Sequence, residues 1–197
     1  MEKNHRETTL IVACGVFRRE IEKIVSERYP SSKIVFTNPL LDITPRKLDA
    51  TLERLIDTHT SAEKILLVFG KCTPTIDSLV DGRKIFRLRG GSCYEILLGE
   101  RFFCVMKEEK GSYFLTPYLC LHFNAIIKSL ELTSPLLRER LFRNYRRIVL
   151  VDTGLYGGIE KSAQKVSKFL NLPLKVLKID LEELEKRLHE AIRAALP

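Results

Sequence analysis

Thr9-Leu10-Ile11-Val12-Ala13-Cys14-Gly15 is an unbroken apolar run, rich in strand formers and cut off by a glycine. It is too short for an ordinary helix and lacks the polar alternation of a half-solvated strand, so it reads as a first strand buried on both faces. The same signature returns at Lys33 to Thr37, Lys64 to Phe69, Lys84 to Leu88, Arg147 to Asp152 and Leu174 to Ile179. Between these runs the apolar residues recur at helical spacing: 17, 21, 24 and 25 in the first interval, then Leu48, Leu52, Leu55 and Ile56 after Thr44-Pro45, a favourable helix start. Further helices are expected from about Thr75 to Val80 (ending at Asp81-Gly82), over Tyr94 to Leu98 with Ser92 near its N-cap, and over Pro117 to Leu130. Others follow over Pro135 to Phe142, Gly158 to Leu170, and from Asp180 to Ala195.

Strands alternating with helices predict an α/β fold: a mostly parallel twisted sheet with helices on both faces, Rossmann-like in class. The alternation fails between about 101 and 116, where Phe102 to Lys107 and Ser112 to Thr116 read as short strands around Lys110-Gly111, a small antiparallel or hairpin insertion. A chain of 197 residues fits a single domain over 1–197, and a division into two βα lobes, about 9–100 and 117–197, is equally compatible with the pattern.

The formal charge is +8 and the pI about 9.3. Acidic residues are interleaved with the basic ones, and the densest basic stretch, Arg138, Arg140, Arg143, Arg146 and Arg147, reads as a solvated helix face. With no nucleic-acid-binding motif, the sequence argues against a nucleic-acid partner. The polar segment Met1 to Thr8 has no secretory apolar core, and no apolar run approaches the roughly 20 residues that span a bilayer, so a cytoplasmic protein without membrane insertion is expected. Five cysteines, 14, 72, 93, 104 and 120, make an odd count, which in a reducing compartment favours thiol or ligand roles over disulfides.

Ligands of open parallel sheets bind beyond the carboxyl ends of the strands. The residues expected there are Cys14-Gly15, Asn38, Gly70-Lys71-Cys72-Thr73, Gly90-Gly91-Ser92-Cys93-Tyr94 and Asp152-Thr153-Gly154. Cys14, Cys72 and Cys93 each precede an expected helix start, where the helix field favours thiolate. Three thiolates suit zinc or an iron–sulfur cluster with one position left open. The substrate side would be lined by Gly15, Glu20, Lys71, Thr73, Tyr94, Asp152, Thr153 and Gly154, although Glu20 also fits a surface carboxylate. The cysteine separations, 58 and 21 residues, contain no local metal motif, and small cysteines also pack well at tight strand ends. Cys104 and Cys120 lie in apolar runs and are expected in the core, as is His122; His5, His59 and His189 are expected at the surface. Gly154-Leu155-Tyr156-Gly157-Gly158 is glycine-rich before a helix but lacks the spacing of a dinucleotide or P-loop motif.

Ala13-Cys14-Gly15 with Arg19-Glu20, Phe69-Gly70-Lys71-Cys72, Ser92-Cys93-Tyr94-Glu95 leading to Gly99, Gly111 to Pro117, and Val151-Asp152-Thr153-Gly154, in this order, resemble the prokaryotic domain-of-unknown-function family 1638. The resemblance spans roughly residues 9 to 180. It implies that Cys14, Cys72 and Cys93 recur as motif residues, with Ser92 standing where the pattern has Asp. It also implies a setting in methanogens and anaerobes, where an oxygen-sensitive cluster is favoured over zinc.

Two readings of function follow. One is a protein binding a metal or iron–sulfur cluster, either an enzyme or an accessory factor in anaerobic one-carbon or corrinoid metabolism, whose partner is a small-molecule substrate or a corrinoid-system protein. The other is a metal-free module for a small anion, nucleotide or corrinoid, in which the cysteines only pack.

Overall fold

The computed structural model describes residues 9–81 and 84–194; His5 and Gly82 lie outside the described residues. In chain order the elements are β1 (Thr9–Cys14), α1 (Arg18–Arg28), β2 (Lys33–Thr37), α2 (Pro45–Thr58), β3 (Lys64–Val68), β4 (Ile85–Arg87), α3 (Cys93–Leu98) and α4 (Phe102–Glu108). They continue with β5 (Ser112–Leu115), α5 (Pro117–Leu121), α6 (Phe123–Ser129), α7 (Pro135–Phe142), β6 (Arg147–Asp152), α8 (Ile159–Leu170), β7 (Leu174–Lys178) and α9 (Glu182–Ala194). Two compact units result. The first takes the chain up to Gly99 together with the segment from Glu182, and the second runs from Glu100 to Leu181.

In the first unit four strands form one sheet in the order β2-β1-β3-β4, all parallel. β1 is central, and Leu10 to Ala13 are at most 2% exposed, as an apolar run with no polar alternation requires. From β1 the chain steps to β2 on one side, then crosses back to β3 on the other. Right-handed crossovers in opposite directions put α1 and α2 on opposite faces of the sheet. Leu48 and Leu52 of α2 pack with Leu10, Val12, Ile65 and Leu67 on one face. Ile11, Ala13, Leu66 and Val68, which point the other way by the two-residue period, are buried as well. The C-terminal helix α9 returns to this unit and packs on α3. Leu184 and Leu188 are fully buried, Arg187 donates to the Arg89 carbonyl at 2.6 Å, and Tyr29 Oη meets His189 Nδ1 at 2.8 Å.

The second unit carries a three-stranded parallel sheet, β5-β6-β7, with Ile148 to Val151 of β6 fully buried at its centre. The core on one side gathers Leu115, Phe123, Ile148, Leu150, Ile159 and Val166. The α/β class expected from the alternation is thus present, divided between two all-parallel sheets.

Five local expectations are corrected. The hairpin near 101–116 does not form: Phe102–Glu108 is helical, and β5 pairs in parallel with β6, Tyr113 opposite Ile148. A run of five apolar residues carries no period that separates strand from helix. Only Val105 of α4 is buried, while Phe103 is 71% exposed. The stretch 75–80 is a single 3₁₀ turn, Ile76–Leu79. The helix expected over 117–130 is broken at His122 into α5 and α6. Cys104 lies exposed on α4, and His122 is exposed with its ring 4.2 Å from that of Tyr118; neither is a core residue, whereas Cys120 is.

Candidate functional site

Because the four strands of the first sheet run parallel, all four leave it at one edge, and Cys14, Cys72 and Cys93 lie on three of these exits. The strand order reverses between β1 and β3, the place where open α/β sheets form their ligand crevice. Cys14 ends β1 and Cys72 lies beyond the end of β3; both pack against the apolar cluster that Phe69 and Ile76 belong to. Cys93 is the first residue of α3, whose start is fixed by its own sequence: the Ser92 hydroxyl accepts from the Glu95 N–H at 3.1 Å, and the Glu95 carboxylate accepts from the Gly91 N–H at 2.7 Å. This is the reciprocal logic of a capping box.

The exits of β3 and β4 are tied together. The Lys71 N–H donates to the Gly91 carbonyl at 2.9 Å. A Cβ at Gly70 would stand 2.7 Å from Ser92 Cα, so only glycine allows this approach. Arg87, the last residue of β4, is 12% exposed at its side chain and donates to the carbonyls of Phe69, Leu88 and Gly90 at 3.1, 3.2 and 2.9 Å. Its Nε donates to Asp77 at 2.8 Å. One guanidinium thereby holds both loops that carry Cys72 and Cys93. The exits of β1 and β2 are pressed together in the same way: Cys14 is in register with Thr37, and a Cβ at Gly15 would stand 2.7 Å from the Thr37 carbonyl oxygen.

Burial governs the thiols at these exits. Burial pushes the Cys14 thiol up from 9.0 to about 12, with smaller contributions from Cys72 and Asp42. Burial raises Cys93 further still, and Cys14, Cys72 and Asp42 add to it. Cys72 is raised, by burial first and then by Asp42. The expected lowering of the thiols at helix starts is overturned, because desolvation outweighs it: the element after Cys14 is a short 3₁₀ turn and α3 has only six residues. Among the described residues no three His, Cys, Asp or Glu side chains form a ready-made set of ligands for a metal ion.

Residues 36–188 match the family described as "Protein of unknown function (DUF1638)". The chain belongs to this family. No curated protein and no solved structure matches the chain. The span matched to the DUF1638 family holds Asp42, Cys72, Arg87 and Cys93, while Cys14, Gly15 and Glu20 precede it.

In this DUF1638 chain the remaining expected site residues are divided between the two units. Lys71 is exposed, its Nζ 3.1 Å from Asp77, and Tyr94 is half-buried on α3. Thr73 is 4% exposed, its hydroxyl 3.4 Å from that of Thr75. Glu20 is 1% exposed on α1, so it is not the surface carboxylate its charge suggested. Asp152, Thr153 and Gly154 belong to the second unit, at the end of β6. Asp152 accepts from the Gly154 N–H at 2.9 Å and lines a cavity of about 260 Å³ with Tyr156, Gly158, Ile159, Glu160 and Lys161. No helix among the described residues is long and apolar enough to cross a membrane.

Sequence reading missed the clasp made by Arg87. Arg87 stands in a short strand with alternating basic residues, where nothing marks one arginine as buried.

Two outcomes are expected. Arg87→Ala removes the donor of the Phe69, Leu88 and Gly90 carbonyls and should lower the urea-unfolding free energy by about 2–3 kcal/mol, with Arg87→Lys recovering only part because one ammonium cannot hold the carbonyls that Nη1 serves and also the Nε bond to Asp77. The thiols, raised in the folded state above their unfolded values, favour folding fully below about pH 9 and lose that contribution as the pH climbs through the folded values. The metal-free protein should therefore lose stability between about pH 9 and pH 12, and Cys14→Ser should flatten the loss in an alkaline denaturation series.

Proposed function

We propose that the first unit holds a soft metal centre on Cys14, Cys72 and Cys93, an iron–sulfur cluster in the first place and zinc in the second, with one metal position left open to a small molecule. The observation that supports this reading is that Cys14, Cys72 and Cys93 lie on the exits of three adjacent parallel strands, β1, β3 and β4. An all-thiol donor set is the pattern that soft metals and iron–sulfur clusters take. The close approaches at Gly15 and Gly70 and the clasp of Arg87 also support it, since they fix the loops that bear the thiols.

Loading is coupled to protonation. Burial keeps the thiols neutral at physiological pH, so each ligand must give up its proton as the metal arrives. Affinity should rise with pH, and metal uptake in weak buffer should release protons.

The test is iron, zinc and acid-labile sulfide analysis with a visible spectrum, on protein purified without oxygen and with each of Cys14→Ser, Cys72→Ser and Cys93→Ser. The expected result is about three to four irons with matching sulfide, lost in every variant. Zinc without sulfide selects the second metal. Folded, colourless protein that takes up neither after reconstitution refutes the reading and leaves the metal-free binding module.

A further inference from the structure

We propose that the second unit carries a binding site of its own, for a small phosphorylated polyol, in the cavity at the carboxyl end of β6. The first turn of α8 takes the phosphate, and the Asp152 carboxylate takes a hydroxyl of the same ligand. The site uses none of the thiols of the first unit, so its test is independent of the metal reading.

The anionic half follows from how α8 begins. Its N-cap is Gly158, at φ 72°, which has no side-chain oxygen to cap the first turn of this twelve-residue helix. The N–H groups of Ile159 and Lys161 turn back to the carbonyls of Tyr156 and Gly158 at 3.3 and 3.1 Å. Those of Gly157, Gly158 and Glu160 have no acceptor among the described residues. A Cβ added at Gly154, Gly157 or Gly158 would meet nothing within 4 Å, so the backbone here is bare to an incoming group. Gly158, Ile159, Glu160 and Lys161, the residues that open the helix, also line the cavity of about 260 Å³. Uncapped N–H groups at the positive end of a helix, with the Lys161 ammonium in the same wall, are donors suited to a phosphate. The Glu160 carboxylate is offset by the Lys178 ammonium, 3.9 Å away.

The other half rests on Asp152 and is independent of the helix. Asp152 ends the buried strand β6 and is itself only 7% exposed. Its Oδ1 accepts from the Gly154 N–H at 2.9 Å, whereas its Oδ2 has neither a hydrogen bond nor an ion pair among the described residues. The residue lines the cavity, so the free oxygen has the cavity as its outlet. A carboxylate oxygen this far withdrawn from water needs a donor, and a ligand hydroxyl supplies one. Tyr156 and Ile159, both buried, make the apolar part of the wall.

The two halves together select the ligand. A phosphate alone would share the cavity with an unmatched carboxylate and be repelled by it. A neutral polyol alone would leave the uncapped N–H groups without an anion. A molecule that carries both groups satisfies both ends, with its hydroxyl toward Asp152 and its phosphate on α8. The cavity is smaller than the roughly 300–1,000 Å³ of drug-sized pockets, which limits that molecule to a few carbons. It also lies where parallel sheets receive ligands, beyond the carboxyl end of a strand.

The experiment titrates the isotope-labelled full chain with ribose 5-phosphate and with glycerol 3-phosphate, and separately with ribose, glycerol and inorganic phosphate, while amide chemical shifts are followed. At least one phosphorylated polyol should move the amides of Gly157, Gly158 and Glu160 and bind about tenfold or more tightly than inorganic phosphate or its own dephosphorylated form. Asp152→Asn keeps an oxygen for the Gly154 N–H but replaces the free acceptor with an amide. It should weaken the phosphorylated polyol about tenfold and leave inorganic phosphate no weaker. Lys161→Glu should weaken every phosphate-bearing ligand and leave the free polyols unchanged. Unaltered amide shifts away from the cavity show that both variants keep the fold. The proposal is overturned if neither phosphorylated polyol moves these amides at millimolar concentration, if inorganic phosphate binds as tightly as both of them, or if neither variant changes their affinity.

Discussion

Three backbone carbonyls, those of Phe69, Leu88 and Gly90, converge on one guanidinium, and the upper edge of the first sheet depends on it. Arg87 ends the edge strand β4, its side chain largely withdrawn from solvent. A buried carbonyl needs a donor, and loops at strand ends have no ladder to provide one. Nη1 of the arginine lies within hydrogen-bond distance of all three, while its Nε serves Asp77. Because the bonded carbonyls belong to the exits of both β3 and β4, Cys72 and Cys93 are positioned together. Cys14 needs no such device: it ends a fully buried central strand whose register is set on both sides.

This arrangement separates what burial does from what chemistry needs. Three thiols in a desolvated crevice remain protonated, and a neutral thiol is a small apolar group that packs well. Ionising the thiols there is costly, so a metal that took them as thiolates, as proposed, would have to displace their protons. The buried, unpartnered hydroxyl of Thr37 beside Cys14 is consistent with a crevice arranged for an occupant.

The fold was legible wherever a strand is buried on both faces. The runs at 9–14, 64–68 and 147–152 carry no polar alternation, and each is a central or near-central parallel strand. Legibility failed at 102–107 for the opposite reason: Phe102 to Lys107 is apolar without being buried, so its hydrophobicity reported neither period nor core. The placement of the three cysteines at strand exits was legible because glycines and strand ends flank them. The clasp of Arg87 was not, since it arises from the lateral order of the strands, which local sequence does not encode. Asp152 was grouped with the cysteines because it too ends a strand, and only the division into two sheets assigns it elsewhere.

The central claim is that Cys14, Cys72 and Cys93 serve one ligand together, and differential alkylation read by mass spectrometry tests it most directly. Protein loaded with iron and sulfide, or with zinc, is treated with iodoacetamide beside metal-free protein, and the exposed Cys104 serves as the internal control that reacts in both. The account predicts that Cys14, Cys72 and Cys93 become protected together on loading and are released together by a chelator. Protection of only one of them, or of none while Cys104 stays reactive, would contradict it.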